Sequence, residues 1–600
     1  MKVIVENNYL TIKYDTETDE LAKYVNQQIH LNVNPLDEDR FNKRAFRMHV
    51  WDGRVKIYDA KNNQAPSGLF DDIYKVLLGI QNDHSELNIK VINKRGSKVK
   101  FKNSLFPKDK QYKIDPDKPP VTLRDYQIKG VQYAMDNQMG TINFSTGTGK
   151  SLIAVALIDQ LRQSLSQDQR IFLTEKNVDL AKQLKKTLET ALGISIGMWG
   201  GGKKDIQQVT VALSGTMASG LKDPVKEAKI TSLKDKVIQH FATDYVPLFI
   251  DQVNAKVMIK TYLLNHQPKY KYDVEIFDSL RQIVQLPEKD VQKALKWQLK
   301  AYDKLMHKKA AKAFDKYNDT CEILNSVKAI VIDEAHNSQA ETYQTALLHM
   351  KNASFKIGLT ATMPSKTADL VKWVRYKGIL TADSIKVRNK EMIDRGFLAK
   401  PTIKLVPIKE PQDLDTQVAL QLPVNLPKRM EALKKYQTAY RLGVIENDYR
   451  NKLICILTEK LVKLDNGPVL IIVNNIEHGD IIQASLEDKK IKSAFIEGSK
   501  DDAQRQELLT GIANGTYQVL IGTQLLDEGI DIPNLKYLVY VSAGKSIRQV
   551  LQRIGRMLRK TKDKQTTTIF DLQDRTNNIL YDQARKRVGI YREEQFEIEG

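Results

Sequence analysis

The chain has 600 residues, 42% of them hydrophobic, and its 93 Lys+Arg against 73 Asp+Glu leave a formal charge of +20 at pH 7. That length exceeds one compact core and predicts roughly three to five folded domains, and the basic excess favours a polyanionic partner, because phosphates gain Coulomb attraction and release counterions against basic side chains. With only Cys321 and Cys455 present, a disulfide framework and a multi-cysteine metal site are excluded. The opening MKVIVENNYL has no signal-peptide core and no apolar run approaches the roughly 20 residues that cross a bilayer, so a soluble, cytoplasmic protein without a membrane partner is expected.

Residues 1 to about 117 alternate strand-like runs (VKIYD at 55–59, LNIKVI at 87–92) with an amphipathic stretch at 69–80, and predict a small N-terminal α+β domain. The polar KIDPDKPP at 113–120 follows; its prolines deny backbone donors and favour extended backbone, which reads as a linker. Beyond it, buried-strand candidates stand at 171–174 (IFLT), 209–213 (VTVAL), 329–333 (AIVID), 469–473 (VLIIV), 519–522 (VLIG) and 538–541 (LVYV). Continuous apolar runs separated by helical patterns predict parallel strands covered on both faces, an α/β architecture. Their two groups, either side of about residue 400, predict two lobes at 118–400 and 401–600.

The first lobe is interrupted at about 220–327 by a mostly helical insert. Within it Leu295, Leu299, Tyr302, Met306, Ala310, Ala313 and Tyr317 repeat in steps of four and three, and predict one helix over 287–317. Lys296, Lys300, Lys304, Lys308, Lys312 and Lys316 recur every fourth residue and wind around that helix. A solvated face and a phosphate-contacting arm account for them equally well.

Chemistry concentrates at two places. Ser145-Thr-Gly-Thr-Gly-Lys-Ser151 lies between a strand-like TINF and a helical LIAVALIDQL, where a phosphate-binding loop belongs. The small residues Thr146, Gly147, Thr148 and Gly149 let backbone N–H groups converge on phosphates, Lys150 can reach the β/γ-phosphates, and Ser151 can ligate Mg²⁺. Phe144 stands where the strict pattern has its first glycine. Downstream, Val331-Ile-Asp-Glu-Ala-His336 ends an apolar run with adjacent carboxylates: Asp333 can hold Mg²⁺ through water and Glu334 can orient and deprotonate the attacking water.

These two segments, followed by Thr360-Ala-Thr362, by Gly522-Thr-Gln-Leu-Leu-Asp-Glu-Gly-Ile-Asp531 and by Gln552-Arg-Ile-Gly-Arg-Met-Leu-Arg559, resemble the ordered motifs of superfamily 2 DEAH-box helicases. The resemblance covers roughly residues 120–590 and implies two RecA-like lobes closing on one ATP. It further implies that Gln127, in LRDYQ, reads adenine, that Gly529 and Asp531 help hold the nucleotide, and that Arg556 and Arg559 reach the γ-phosphate from the second lobe. Such arginines stabilise a loose phosphoryl-transfer transition state. Thr360 and Thr362 would link the state of the nucleotide to contact between lobes. For the polynucleotide the resemblance implies Thr174, Lys176, Ser214, Thr216, Asn474 and Thr523, whose phosphate contacts carry no sequence information.

The flanks, RMHVWDGRVKIY at 47–58, PSGL at 66–69 and ARKRVGIY at 584–591, resemble UvsW-type bacteriophage DNA helicases, which remodel forked and branched DNA in replication and recombination. The resemblance implies a duplex-binding N-terminal module with Arg44, Arg47, Arg54 and Lys56 at phosphates, and Trp51 in its core or stacked at a junction. If phage-encoded, the protein would work in the host cytoplasm. A double-strand translocase and an RNA helicase are the alternatives; a catalytically silent scaffold would not be expected to keep Lys150, Asp333, Glu334, Arg556 and Arg559.

Overall fold

The computed structural model describes residues 1–15, 20–224, 233–250, 252–268, 271–423, 428–465, 468–497, 500, 502–523, 535–542, 554–555, 557–558 and 564–599. Its N-terminal part is a mixed sheet of β1 (Lys2–Val5), β2 (Tyr9–Lys13), β3 (Gln64–Pro66) and β4 (Lys90–Asn93), in the order β3-β2-β1-β4. Strand side chains alternate between faces, so Val3, Val5, Leu10 and Ile12 turn inward together. They meet Val25 and Ile29 of helix Glu20–Val33 and Ile73 and Leu77 of helix Phe70–Asp83.

VKIYD, expected to be a strand, is irregular, with only isolated bridges of Leu36 to Arg54 and Asp59 to Gln64 around it. Asn34 explains this: its Oδ1 accepts from the Ile57 and Tyr58 backbone N–H groups at 2.8 and 2.7 Å, doing for them what a neighbouring strand would. The expected linker at 113–120 joins two short antiparallel strands, β5 (Gln111–Tyr112) and β6 (Val121–Thr122). Val99, Phe106 and Tyr112 already belong to the core of the first lobe, so packing on that lobe begins before the prolines.

The first lobe is an eight-stranded sheet of β7 (Met139–Phe144), β8 (Arg170–Glu175), β9 (Gly197–Gly200), β10 (Lys203–Asp205), β11 (Val209–Leu213), β12 (Val327–Ile332), β13 (Phe355–Thr360) and β14 (Ser384–Val387). Their order is β10-β9-β11-β8-β12-β13-β7-β14, and every pairing is parallel except β10 with β9. All five residues of β11 are buried, as strands covered on both faces require. The second lobe holds β15 (Lys400–Ile408), β16 (Val469–Ile472), β17 (Ser493–Ile496), β18 (Val519–Gly522), β19 (Tyr537–Tyr540), β20 (Thr566–Asp574) and β21 (Glu597–Glu599), all parallel, in the order β17-β18-β16-β19-β20-β15-β21. The chain is thus an α/β protein with two parallel sheets and a small mixed sheet before them. Two fully buried ion pairs brace the second lobe: Arg450 on Asp574 at 2.9 Å and Arg587 on Asp571 at 2.8 Å.

Residues 215–326 form a separate compact unit. Its helices, among them Leu233–His240, Ala255–Asn265, Lys271–Gln285, Glu288–Lys309 and Ala311–Asn325, enclose a core that includes Phe249, Ile259, Leu280, Val291 and Leu295. The single helix expected over 287–317 is broken at Ala310, whose φ of −90° and ψ of 2° leave the helical range. Among the described residues no helix is long and apolar enough to cross a membrane.

Candidate active site

Strand β7 ends at Phe144 and helix Lys150–Ser164 follows, with Ser145 to Gly149 as the turn between them. Gly147 and Gly149 have φ of 83° and 80°, which is why the turn uses glycine there. Thr148 closes the loop by donating from Oγ1 to the Ser145 carbonyl at 2.7 Å, and Ser145 Oγ donates to the Val387 carbonyl of β14 at 2.8 Å. Phe144, the departure from the strict motif, is fully buried, with its ring edge-on to Tyr126 at 5.9 Å. It also presses on Gly130, where an added Cβ would lie 3.1 Å from the ring. An aromatic therefore ends the strand in the core, and the turn proper begins one residue later.

Lys150 donates from Nζ to the Phe144 and Ser145 carbonyls at 3.2 and 3.3 Å, while Ser151 is exposed at the head of its helix. Gln127, buried on helix Asp125–Asn137, accepts at Oε1 from the Arg124 N–H at 2.8 Å and donates from Nε2 to the Thr148 carbonyl at 2.8 Å. Both ends of its amide are engaged, one of them by the loop. Tyr126 Oη donates to the same Thr148 carbonyl at 2.9 Å.

Asp333 and Glu334 follow β12, two strands from β7. The Asp333 N–H donates to the Thr174 carbonyl at 3.1 Å, and Asp333 Oδ1 accepts from the Glu334 N–H at 2.9 Å. Burial, with Glu334 beside it, pushes the Asp333 carboxyl up to about 6, and Lys150 opposes that rise. His336 Nδ1 lies 3.1 Å from Thr360 Oγ1 and 3.2 Å from Glu334 Oε2. Thr360 Oγ1 in turn donates to the Thr362 carbonyl at 3.0 Å. The carboxylate pair and the threonine pair are so joined through His336, a link that sequence spacing did not reveal.

Glu175 is another residue the sequence did not single out. It ends β8, next to β12, and burial followed by the Asp333 charge pushes its carboxyl up to about 8. Its Oε1 accepts from the Lys176 and Asn177 N–H groups at 2.7 and 3.2 Å, while Oε2 has no hydrogen-bond partner among the described residues. The available signal was a carboxylate at the C-terminal end of a buried parallel strand, where sites of open α/β sheets collect.

A cleft of about 400 Å³ opens beside the loop, lined by Ser145, Thr146, Thr362, Lys386, Arg388 and Glu594. Gly555 packs so closely on Thr146 that an added Cβ would stand 2.4 Å from the threonine Cβ. Gly555 therefore comes against the Ser145–Gly149 turn; Arg556, Arg559, Gly529 and Asp531 lie outside the described residues.

The residues expected along the polynucleotide fall into separate groups. Thr174, Lys176 and Ser214 cluster at the C-terminal ends of the adjacent strands β8 and β11, with Lys176 exposed. Asn474 and Thr523 follow β16 and β18, adjacent in the second sheet. Thr216 belongs to the helical unit, and Arg47 is exposed on the N-terminal part. Trp51 is half-buried, its Nε1 donating to the Arg54 carbonyl at 2.9 Å and its ring edge-on to Phe46.

Residues 450–561 match the model of the helicase conserved C-terminal domain, and residues 120–250 and 255–365 match that of the type III restriction enzyme res subunit. Together these matches place the chain in superfamily 2 of the helicases. It is 29% identical to putative helicase 22 of Sulfolobus islandicus filamentous virus, over 42% of this chain and 43% of that one. It is 24% identical to the ATP-dependent DNA helicase uvsW of Enterobacteria phage T4, over 40% of this chain and 45% of that one. With the DNA 3'-5' translocase XPB2 of Sulfurisphaera tokodaii it shares 22% identity over 75% of this chain and 82% of that one. The chain thus spans less than half the length of the first two. The crystal structure of T4 UvsW aligns over 100% of this chain and 99% of its own at 17% identity, with a TM-score of 0.38, too distant a likeness to argue from.

Proposed function

We propose that the chain is an ATP-driven DNA helicase and branch-migration motor of the DEAH-box, UvsW type, acting on forked or branched DNA in replication and recombination. The observation that carries this reading is the convergence of the Ser145–Ser151 loop and the Asp333–Glu334 pair at the C-terminal ends of the parallel strands β7 and β12, close enough for Lys150 to act on the Asp333 charge. The donor set fits a magnesium nucleotide: a hydroxyl on Ser151, a buried carboxyl on Asp333 and a glycine turn open to phosphates. Bound Mg²⁺ would neutralise charge developing on the phosphates.

In this reading Lys150 leaves the two loop carbonyls for the phosphate oxygens, and Thr146 to Gly149 supply backbone N–H groups. Glu334 orients the attacking water and takes its proton. Gln127 holds the loop and faces the adenine, with Gly529 and Asp531 completing the nucleotide site. Arg556 and Arg559 add positive charge as the lobes close, so that hydrolysis waits on closure. Thr174, Lys176, Ser214, Thr216, Asn474 and Thr523 grip the phosphate backbone without reading sequence, and residues 1–117, with Arg47, hold duplex. The protein would act in the cytoplasm, that of a host cell if a phage encodes it. Alignment with a DNA translocase over 75% of the chain favours one second reading, a duplex translocase that does not separate strands.

Steady-state ATP hydrolysis, measured with equal nucleotide concentrations of single-stranded DNA, duplex, four-way junction and RNA, tests both readings. The junction should stimulate most. Stimulation by plain duplex alone would select the translocase, and by RNA alone would remove the DNA assignment.

A further inference from the structure

The helix Glu288–Lys309 buries Val291, Leu295 and Met306 on its inner side. On the outer side Trp297 is 65% exposed, whereas Trp199 is 4% exposed and Trp51 and Trp373 are half-buried. An indole is a large apolar group that proteins seldom leave in water, and nothing in the fold of the unit requires this one there. Its neighbours along the same face are Lys293, Lys300, Lys304 and Lys308, all exposed. At about 100° per residue the five side chains fall within an arc of about 80°, and at about 1.5 Å per residue they run along about 22 Å of helix. Asp303 is the one acid beside the stripe between its ends. None of the four lysines has an ion-pair partner among the described residues, whereas others in this unit do: Lys309 pairs with Asp235 at 3.1 Å and Lys256 with Glu288 at 3.8 Å.

We infer that this stripe is a binding site for a single-stranded polynucleotide, with Trp297 stacking on an unpaired base and Lys293, Lys300, Lys304 and Lys308 along the phosphates. A row of ammonium groups about one and two turns apart, without ion-pair partners among the described residues, matches a polyanion's regular charge, and a flat exposed aromatic among them can stack on the base faces that single strands expose and duplexes cover. A duplex keeps its base faces covered, so the indole selects the unpaired form. The inference rests on the reading of the chain as a nucleic-acid motor and adds to it a contact outside the strand-end residues.

The test is a titration of a labelled thymidylate oligonucleotide, and of a duplex of equal length, with the full chain and no nucleotide. Trp297→Ala should weaken single-strand binding roughly tenfold, Trp297→Phe should restore most of it, and duplex affinity should not change. The triple change Lys300→Gln, Lys304→Gln and Lys308→Gln should reduce the slope of log affinity against log salt by about 2, at roughly 0.7 per phosphate contact. ATP hydrolysis without polynucleotide should be unaltered in each variant. Unchanged single-strand affinity in Trp297→Ala, or an equal loss on duplex, overturns the inference. If the wild-type chain binds and is stimulated by polynucleotide while these variants behave like it, only the stripe is refuted; if the wild-type chain binds none, the motor reading falls with it.

Discussion

Glu334 is held at φ 44° and ψ 51°, a left-handed conformation that a side chain with a Cβ adopts at a cost of about 1 kcal/mol or more. The Asp333 carboxylate fixes its N–H and His336 stands beside its carboxylate, so the neighbours hold the strained residue in place. Strain of this kind persists where surrounding structure over-determines it. Glu334→Gln conserves shape and removes only the proposed base, so on that proposal the variant should bind ATP with near wild-type affinity and lose roughly 10²- to 10⁴-fold in turnover. Nucleotide binding and steady-state hydrolysis, measured side by side, decide it, and wild-type turnover would deny Glu334 its role. The placement of Lys150, Asp333 and Glu334 just after strands was legible because small residues and carboxylates follow apolar runs there. Glu175 was not, since the Asp333 charge that acts on it comes from β8 lying beside β12, which no local pattern encodes.

At the scale of elements, β13 carries Lys356 with only 3% of its surface exposed. Its Nζ donates to the Asn7 carbonyl at 2.6 Å and to Asn8 Oδ1, in the turn between β1 and β2, and so fastens the N-terminal sheet to the first lobe. Burial, with Arg95 nearby, holds this amine down to about 7, against an ordinary value of 10.5. A neutral amine has two N–H groups, matching its two acceptors. Because the folded value lies below the unfolded one, the unfolded chain binds more protons between pH 7 and 10.5; stability should therefore rise with pH across that window and be lowest below it. Thermal midpoints of the wild type and of Lys356→Met, compared from pH 7 to 9, should move apart in favour of the wild type, by up to about 1.4 kcal/mol per pH unit. A constant gap would show that the amine is charged in the fold. Six buried strands could be read from apolar runs, yet their order in the sheets could not, because parallel neighbours are distant in sequence. VKIYD failed as a strand because one side chain, Asn34, satisfied its backbone, and the helix over 287–317 failed because periodicity alone does not register a break such as that at Ala310.

For the whole molecule, the helical unit is the feature that separates this chain most from a minimal pair of lobes. Its presence was legible because the alternation of apolar runs and helices stops near residue 220 and resumes at β12. What it binds was not, since every-fourth-residue lysines suit a solvated face as well as a phosphate track until exposure and pairing are known. Unit 215–326 encloses its own core of Phe241, Val246, Phe249, Ile276, Leu280 and Leu295, and its helix Leu233–His240 packs on both Lys271–Gln285 and Glu288–Lys309, so the core closes within the unit. A helical core closed within one segment of the chain needs no loop through the lobes, which favours autonomous folding. Residues 215–326 expressed alone should therefore give a helical circular dichroism spectrum and a single cooperative thermal transition. A gradual, non-cooperative melt would mean that this core does not sustain the unit unaided, and its helices would then have to be regarded as an elaboration of the first lobe rather than as a domain of their own.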